Sequence, residues 1–152
     1  MSTLQEKSEI IFLYESKFSM PNGDPFTGEQ RYDEETKKVL VSDVRIKRFI
    51  RDYLHNMGET IYVINDKEQA EGKESGSAAR VKSLRKKFEE ELKAAGLKKN
   101  DGLFLLTNCI DVRLFGGIST EKDAAVNITG PVQFALLNSS LNAVDLRMHQ
   151  NT

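Results

Sequence analysis

Four cations crowd into the stretch SDVRIKRFIRDYL, residues 42–54: Arg45, Lys47, Arg48 and Arg51. Side chains of this type, placed along one element, neutralise phosphates and release counterions, which makes binding to a nucleic-acid backbone salt-dependent. Acids that would balance them four residues away are few, with Asp43 alone in the first ten residues. The competing reading is an ordinary solvated helix face. A second run, RVKSLRKK (80–87), holds five cations and no acid, but Glu89, Glu90 and Glu91 follow at once and can pair back along a helix, so a solvated face is the better reading there. In NITGPVQF, Gln133 beside a Gly-Pro kink is placed to hydrogen-bond a phosphate, a ribose hydroxyl or a base edge, or to be a plain exposed strand residue. In DVRLFGGI, Arg113 and Phe115 beside Gly116-Gly117 can stack on or clamp a nucleotide; core packing of Phe115 is the alternative. MPNGDP (20–25) is the fifth feature. Asn22-Gly23 tolerates positive φ and turns the chain, while Pro21 and Pro25 end strand pairing. The turn opens a long excursion to Lys38, in which Asp24 is expected to cap or hydrogen-bond backbone.

Signals for catalysis are poor. His55, His149 and Cys109 have no metal-ligand spacing, and there is no P-loop, dinucleotide fingerprint or nucleophile elbow. Asp24 or Asp33 in the long loop is a candidate metal ligand or base with no identifiable partner. No catalytic residue, metal ligand or cofactor is therefore expected.

The elements that must carry these residues follow from periodicity. EIIFLYESKF (9–18) is apolar on both alternating faces and reads as a central strand covered on both sides. Residues 21–38 have no period and read as a long loop. Ser42 caps a helix whose apolar face is Ile46, Phe49, Ile50, Tyr53 and Met57, closed by Gly58. TIYVIN (60–65) reads as a second strand, and 66–78 as a flexible insertion. A helix is expected over 79–95, a buried helix from Asn100-Asp101 onward, a loop over RLFGGISTEKDAA, and a strand in AVNITGPVQFALLNSS interrupted at Gly130-Pro131. The order points to a single α+β domain with a split β-α-β, ferredoxin-like layout.

The totals set limits on class. A chain of 152 residues with 39% apolar and 30% charged residues fits one globular domain. No apolar run approaches a membrane span, and the start carries no secretory signal, so a cytoplasmic protein is expected. One cysteine excludes an internal disulfide framework. A net charge of -1 excludes a globally basic nucleic-acid binder and requires local segregation of charge.

Taken together, the motifs carry a resemblance that none carries alone. NGDP after an apolar first segment, then VSDVRIKRFIRDY, then DVRLFGG, then NITGPVQFALLNSSLN resembles, in order and over residues 9–142, the CRISPR-associated backbone (Cas-seven) subunit. The likeness is to the type I-B and I-C branch. The resemblance implies an RRM-like palm with inserted finger and thumb segments, of which this chain would be an N-terminal portion. It implies a repeated subunit of the Cascade antiviral complex that binds CRISPR RNA (crRNA) without sequence preference. Its partners would be that RNA, target DNA through the heteroduplex, other copies of itself and other Cascade subunits, with no membrane. Carried over by motif, Arg45, Lys47, Arg48 and Arg51 would meet the RNA backbone beside a loop of Asn22, Gly23 and Asp24. Arg113 and Phe115 would line the channel or a subunit junction, and Gln133 would approach from the sheet. Two other readings stand beside it: a metal-dependent ribonuclease of the same superfamily using Asp24 or a histidine, and an interaction domain with no nucleic-acid role.

Overall fold

The computed structural model describes residues 6–64, 76–99, 101–122 and 124–145. His149 and residues 66–75 of the expected flexible insertion lie outside them. Small sheets and short helices are mixed along the chain, an α+β arrangement. Contacts divide the chain into two compact units, Met1–Val41 with Ser139–Thr152, and Ser42–Asn138. Among the described residues no helix is long and apolar enough to cross a membrane.

The first unit is built on two aspartate-anchored turns. Asp24 Oδ1 accepts from the amides of Phe26 (2.9 Å) and Thr27 (3.4 Å), and the Asp24 amide donates to the Glu29 carbonyl at 2.7 Å. An antiparallel bridge joins Gly23 to Gln30. Asp33 repeats the device, taking the Glu35 amide at 3.0 Å and the Thr36 hydroxyl at 2.6 Å. This second turn joins β1 (Tyr32–Asp33) to β2 (Lys38–Ser42), antiparallel with Tyr32 opposite Val39. The sheet order is β1-β2-β5, with β5 at Leu137–Ser139 and Ser140 N donating to Val39 O at 2.9 Å. The stretch expected as a long loop without period thus carries turns and a short ladder, because side-chain carboxylates supply the acceptors that a short ladder lacks.

Residues 9–18 correct the sequence reading. They form no strand, and Ile10 and Ile11 are 86% and 90% exposed. A run apolar on both faces becomes a central strand only when strands flank it on both edges, and no strand described here pairs with it.

The second unit holds the core. α1 (Asp43–Asn56) begins where expected: Ser42 Oγ accepts from the Arg45 amide at 3.4 Å, Asp43 sits in the first turn, and Gly58 follows the end at φ +90°. Its apolar face is split. Ile46 is buried, whereas Phe49, Tyr53 and Met57 are exposed. Residues 60–64 form no strand. Ile61 and Tyr62 are buried there, but the amides of Tyr62 and Val63 donate to the Asp111 carboxylate in place of a ladder.

The expected helix over 79–95 is two helices, α2 (Ser77–Lys87) and α3 (Glu89–Ala94), broken at Phe88. α4 (Gly102–Thr107) starts at Asp101, whose Oδ1 accepts from the Phe104 amide at 2.8 Å. α5 (Ile110–Phe115) takes in Arg113 and Phe115, which the sequence reading placed in a loop. β3 (Gly116–Ser119) follows at once and pairs antiparallel with β4 (Val126–Thr129). Gly116 turns the helix into the strand at φ +84°, and a Cβ there would collide with the Ile128 carbonyl. Val81, Leu84, Leu92, Leu105, Leu106, Cys109 and Val112 meet with Tyr62 and Ala124 in one apolar core. Gln133 lies beyond β4 in irregular backbone rather than on a strand, because Gly130-Pro131 ends the ladder.

Candidate nucleic-acid interface

The basic face of α1 is more fully paired than its sequence suggests. Lys47 Nζ lies 3.0 Å from Asp43 Oδ2, and Arg48 Nε 2.7 Å from Asp52 Oδ1, both at i,i+4 spacing. Arg51 Nε reaches across to Asp111 Oδ2 at 3.0 Å, a contact sixty residues away that periodicity on one helix cannot show. The Arg45 guanidinium sits 4.6 Å over the Phe49 ring. The premise that these cations lack acids therefore fails. Asp52 is half exposed, so the Arg48 pair is screened by salt and Arg48 keeps its capacity to exchange a carboxylate for a phosphate, whereas Lys47 and Asp43 are only 18% and 16% exposed and are screened less. Arg51 differs. Its side chain is 11% exposed and its partner fully buried.

Asp111 is the residue the sequence reading missed. Its Oδ1 takes the Tyr62 amide at 2.7 Å, and its Oδ2 takes the Val63 amide at 3.0 Å as well as Arg51. One carboxylate thereby fixes α1, the 60–63 segment and α5 to each other. The available signal was an acid inside the apolar run LFLLTNCIDVRLF, where a charge must be paired to be tolerated.

Phe115, one turn along α5, gathers the cations of α1. Its ring lies 5.4 Å from the Arg51 guanidinium, 5.9 Å from Lys47 Nζ and 6.0 Å from the Phe134 ring. It is 9% exposed, so the core-packing alternative describes its position. Arg113 is exposed on the same helix. Gln133 is exposed and its Nε2 donates to the Gly130 carbonyl at 2.8 Å. The second unit thus brings Lys47, Arg51 and Phe115 together and leaves Arg113 and Gln133 outside that cluster.

Asn22, Gly23 and Asp24 belong to the first unit. Asn22 is buried, its amide donating to Gln30 Oε1 at 3.0 Å. The Phe26 amide first, then the Thr27 amide and the Arg31 guanidinium, hold the Asp24 carboxyl below its usual range. Arg31 Nη2 stands 3.3 Å from Asp24 Oδ2. Among the described residues, no group of three or more His, Cys, Asp or Glu side chains is placed to hold a metal ion.

Short helices set around a small ladder, with a cation-rich helix docked by a buried carboxylate, make up the second unit. A family profile described as CRISPR-associated protein Cas7 matches residues 6–152. The CRISPR-associated protein Cas7 of Haloferax volcanii is 31% identical over 162 aligned residues, covering 95% of this chain and 46% of the relative. The chain belongs to the Cas7 family. It spans about half the length of the curated relative it matches.

Proposed function

We propose that this chain binds CRISPR RNA without sequence preference, as the N-terminal portion of a repeated, non-catalytic backbone subunit in a type I-B or I-C Cascade complex of the cytoplasm. The observation that carries the reading is the family match across residues 6–152. In this reading the two sheets and their helices are parts of an RRM-like palm. Arg45 and Arg48 meet phosphates from the solvent side of α1, Lys47 adds its charge from the edge of the Phe115 cluster, and Arg51 holds the helix in place from beneath. Gly23, Asp24, Arg113 and Gln133 are accessory contacts, buried Asn22 shapes its loop, and Phe115 supports the cations from within. Base pairing reads the target DNA, while the protein holds the RNA backbone and contacts neighbouring copies and other subunits. A ribonuclease acting through Asp24 is the weaker reading, since that carboxylate is engaged by two backbone amides and Arg31.

The test is titration of fluorescent single-stranded RNAs of unrelated sequence at several salt concentrations. Replacing Arg45 and Arg48 together by Ala should weaken all sequences alike and reduce the salt slope by about 1.4, since each phosphate contact on a single strand contributes about 0.7. Equal binding by the wild type and the double variant at moderate salt rejects the proposal. Metal-dependent cleavage of the RNA, abolished by Asp24→Ala, would favour the ribonuclease.

A further inference from the structure

Burial of Phe115 leaves the stacking role anticipated for an aromatic side chain without its owner. α1 supplies two candidates. Phe49 and Tyr53 are 41% and 64% exposed, and they follow Arg45 at i+4 and i+8. Residues so spaced share one side of a helix and succeed one another about 6 Å apart along its axis. The Arg45 guanidinium lies over the Phe49 ring, so the aromatic row opens with a cation already on a π-face. Arg48 and its partner Asp52 run beside the row. Within the second unit Tyr62 and Phe115 are buried and Phe88 and Phe104 are partly buried against the core, so Phe49 and Tyr53 are its exposed aromatic side chains among the described residues.

We infer that Phe49 and Tyr53 form a stacking platform for unpaired bases of a single-stranded nucleic acid, with Arg45 and Arg48 holding the adjoining phosphates. The inference rests on the RNA-binding reading above and adds the mode of contact. Charge favours this occupant over a polypeptide. An apolar protein face would bury the guanidinium groups that border the row, whereas a base offers a π-face to the rings and a phosphate to the cations. Stacking also accounts for binding without sequence preference, because every base has a π-face.

The chain contains no tryptophan, so Phe49→Trp places a single indole on the platform. Titration with an oligoadenylate 15-mer should quench that indole, while inorganic polyphosphate, which offers phosphates without bases, should leave its emission unchanged. Phe49→Ala and Tyr53→Ala should each weaken RNA binding roughly five- to a hundredfold, as loss of one stacked base does. The salt slope should stay the same, and Tyr53→Phe should retain affinity. The platform is overturned if both Ala variants bind RNA like the wild type while the Arg45→Ala/Arg48→Ala variant still weakens it; the RNA-binding reading then survives. No binding by the wild type at any salt overturns both. A change of oligomeric state in the Ala variants with unchanged RNA affinity overturns the platform and assigns the face to another protein chain.

Discussion

The Asp111 carboxylate offers the sharpest test of how the basic helix is held. It is fully buried and accepts from Tyr62 N at 2.7 Å, Val63 N at 3.0 Å and Arg51 Nε at 3.0 Å. A hydrogen bond to a charged group contributes about 1.5–3 kcal/mol, and stripping one partner from a buried ion pair costs about 3–5 kcal/mol. Asp111→Ala leaves two amides and a guanidinium without an acceptor, so a loss of about 5 kcal/mol is expected, comparable to the whole stability of many domains. Asp111→Asn keeps the shape and one oxygen for the amides but loses the ionic partner, for about 3 kcal/mol. Arg51→Met leaves the buried carboxylate with its two amides but without its counterion and should cost about 3 kcal/mol. The Asp111→Asn/Arg51→Met double variant should be less unstable than the sum of those two single changes by about 1–3 kcal/mol, since the residues share one contact. Urea unfolding followed by far-ultraviolet dichroism measures the wild type and the four variants, with the denaturant slope required to stay constant. A loss below about 1 kcal/mol for Asp111→Asn, or additivity in the cycle, would refute the view that this pair docks α1.

Three further outcomes are expected. Asp24 and Asp33 both have folded-state pKa values lowered from 3.8, by the Phe26 amide first in one case and the Thr36 hydroxyl first in the other. Each therefore contributes stability that is present above 3.8 and is lost as pH falls through the lower folded value; amide resonances of residues 22–36 should keep their dispersion at pH 3.8 and lose it only below. Cys109 is fully buried and its thiol is pushed up to about 12 by burial, so a disulfide reagent should react only as fast as the second unit opens; rapid reaction in native buffer would contradict its placement. Gly116→Ala forces a side chain into φ +84° against the Ile128 carbonyl and should cost about 2 kcal/mol or more in urea unfolding.

What could be read from the sequence divides by range. Ser42, Gly58 and Asp101 announced their caps correctly, because a cap is decided within four residues. Apolar spacing found the helices around Val81, Leu84 and Leu92, yet missed the break at Phe88, which lies within that apolar pattern. Strands fared worse. EIIFLY and TIYVI have strand composition, but a strand exists only with a partner, and partnership is not a local property. In TIYVI the amides found a carboxylate fifty residues away. β2, by contrast, was given no element, since KVLVS is short and its pairing depends on the Asp33 turn. At the candidate site, the cations of α1 were visible as residue types. Their acids were visible only at i,i+4, and Asp111 was not. The outward side of α1 was misassigned because Phe49 and Tyr53 fit the apolar stripe by spacing, while Ile46 alone buries fully.

The order in which this chain folds is written into its two crossings between units. β2 and β5 lie about a hundred residues apart in sequence, as Val39 and Ser140 show. Closing so long a loop from an open chain carries a heavy entropic cost. The second unit is one contiguous stretch, and its own hydrogen bond from Asp43 N to Leu136 O, 3.2 Å long, joins its two ends. Once that unit forms, the residues entering β2 and leaving for β5 start side by side, as across a short hairpin. Loop-closure scaling puts the difference at about 3 kcal/mol. Refolding of β1-β2-β5, followed by stopped-flow, should therefore be faster when the stretch from Asp43 to Leu136 is already folded.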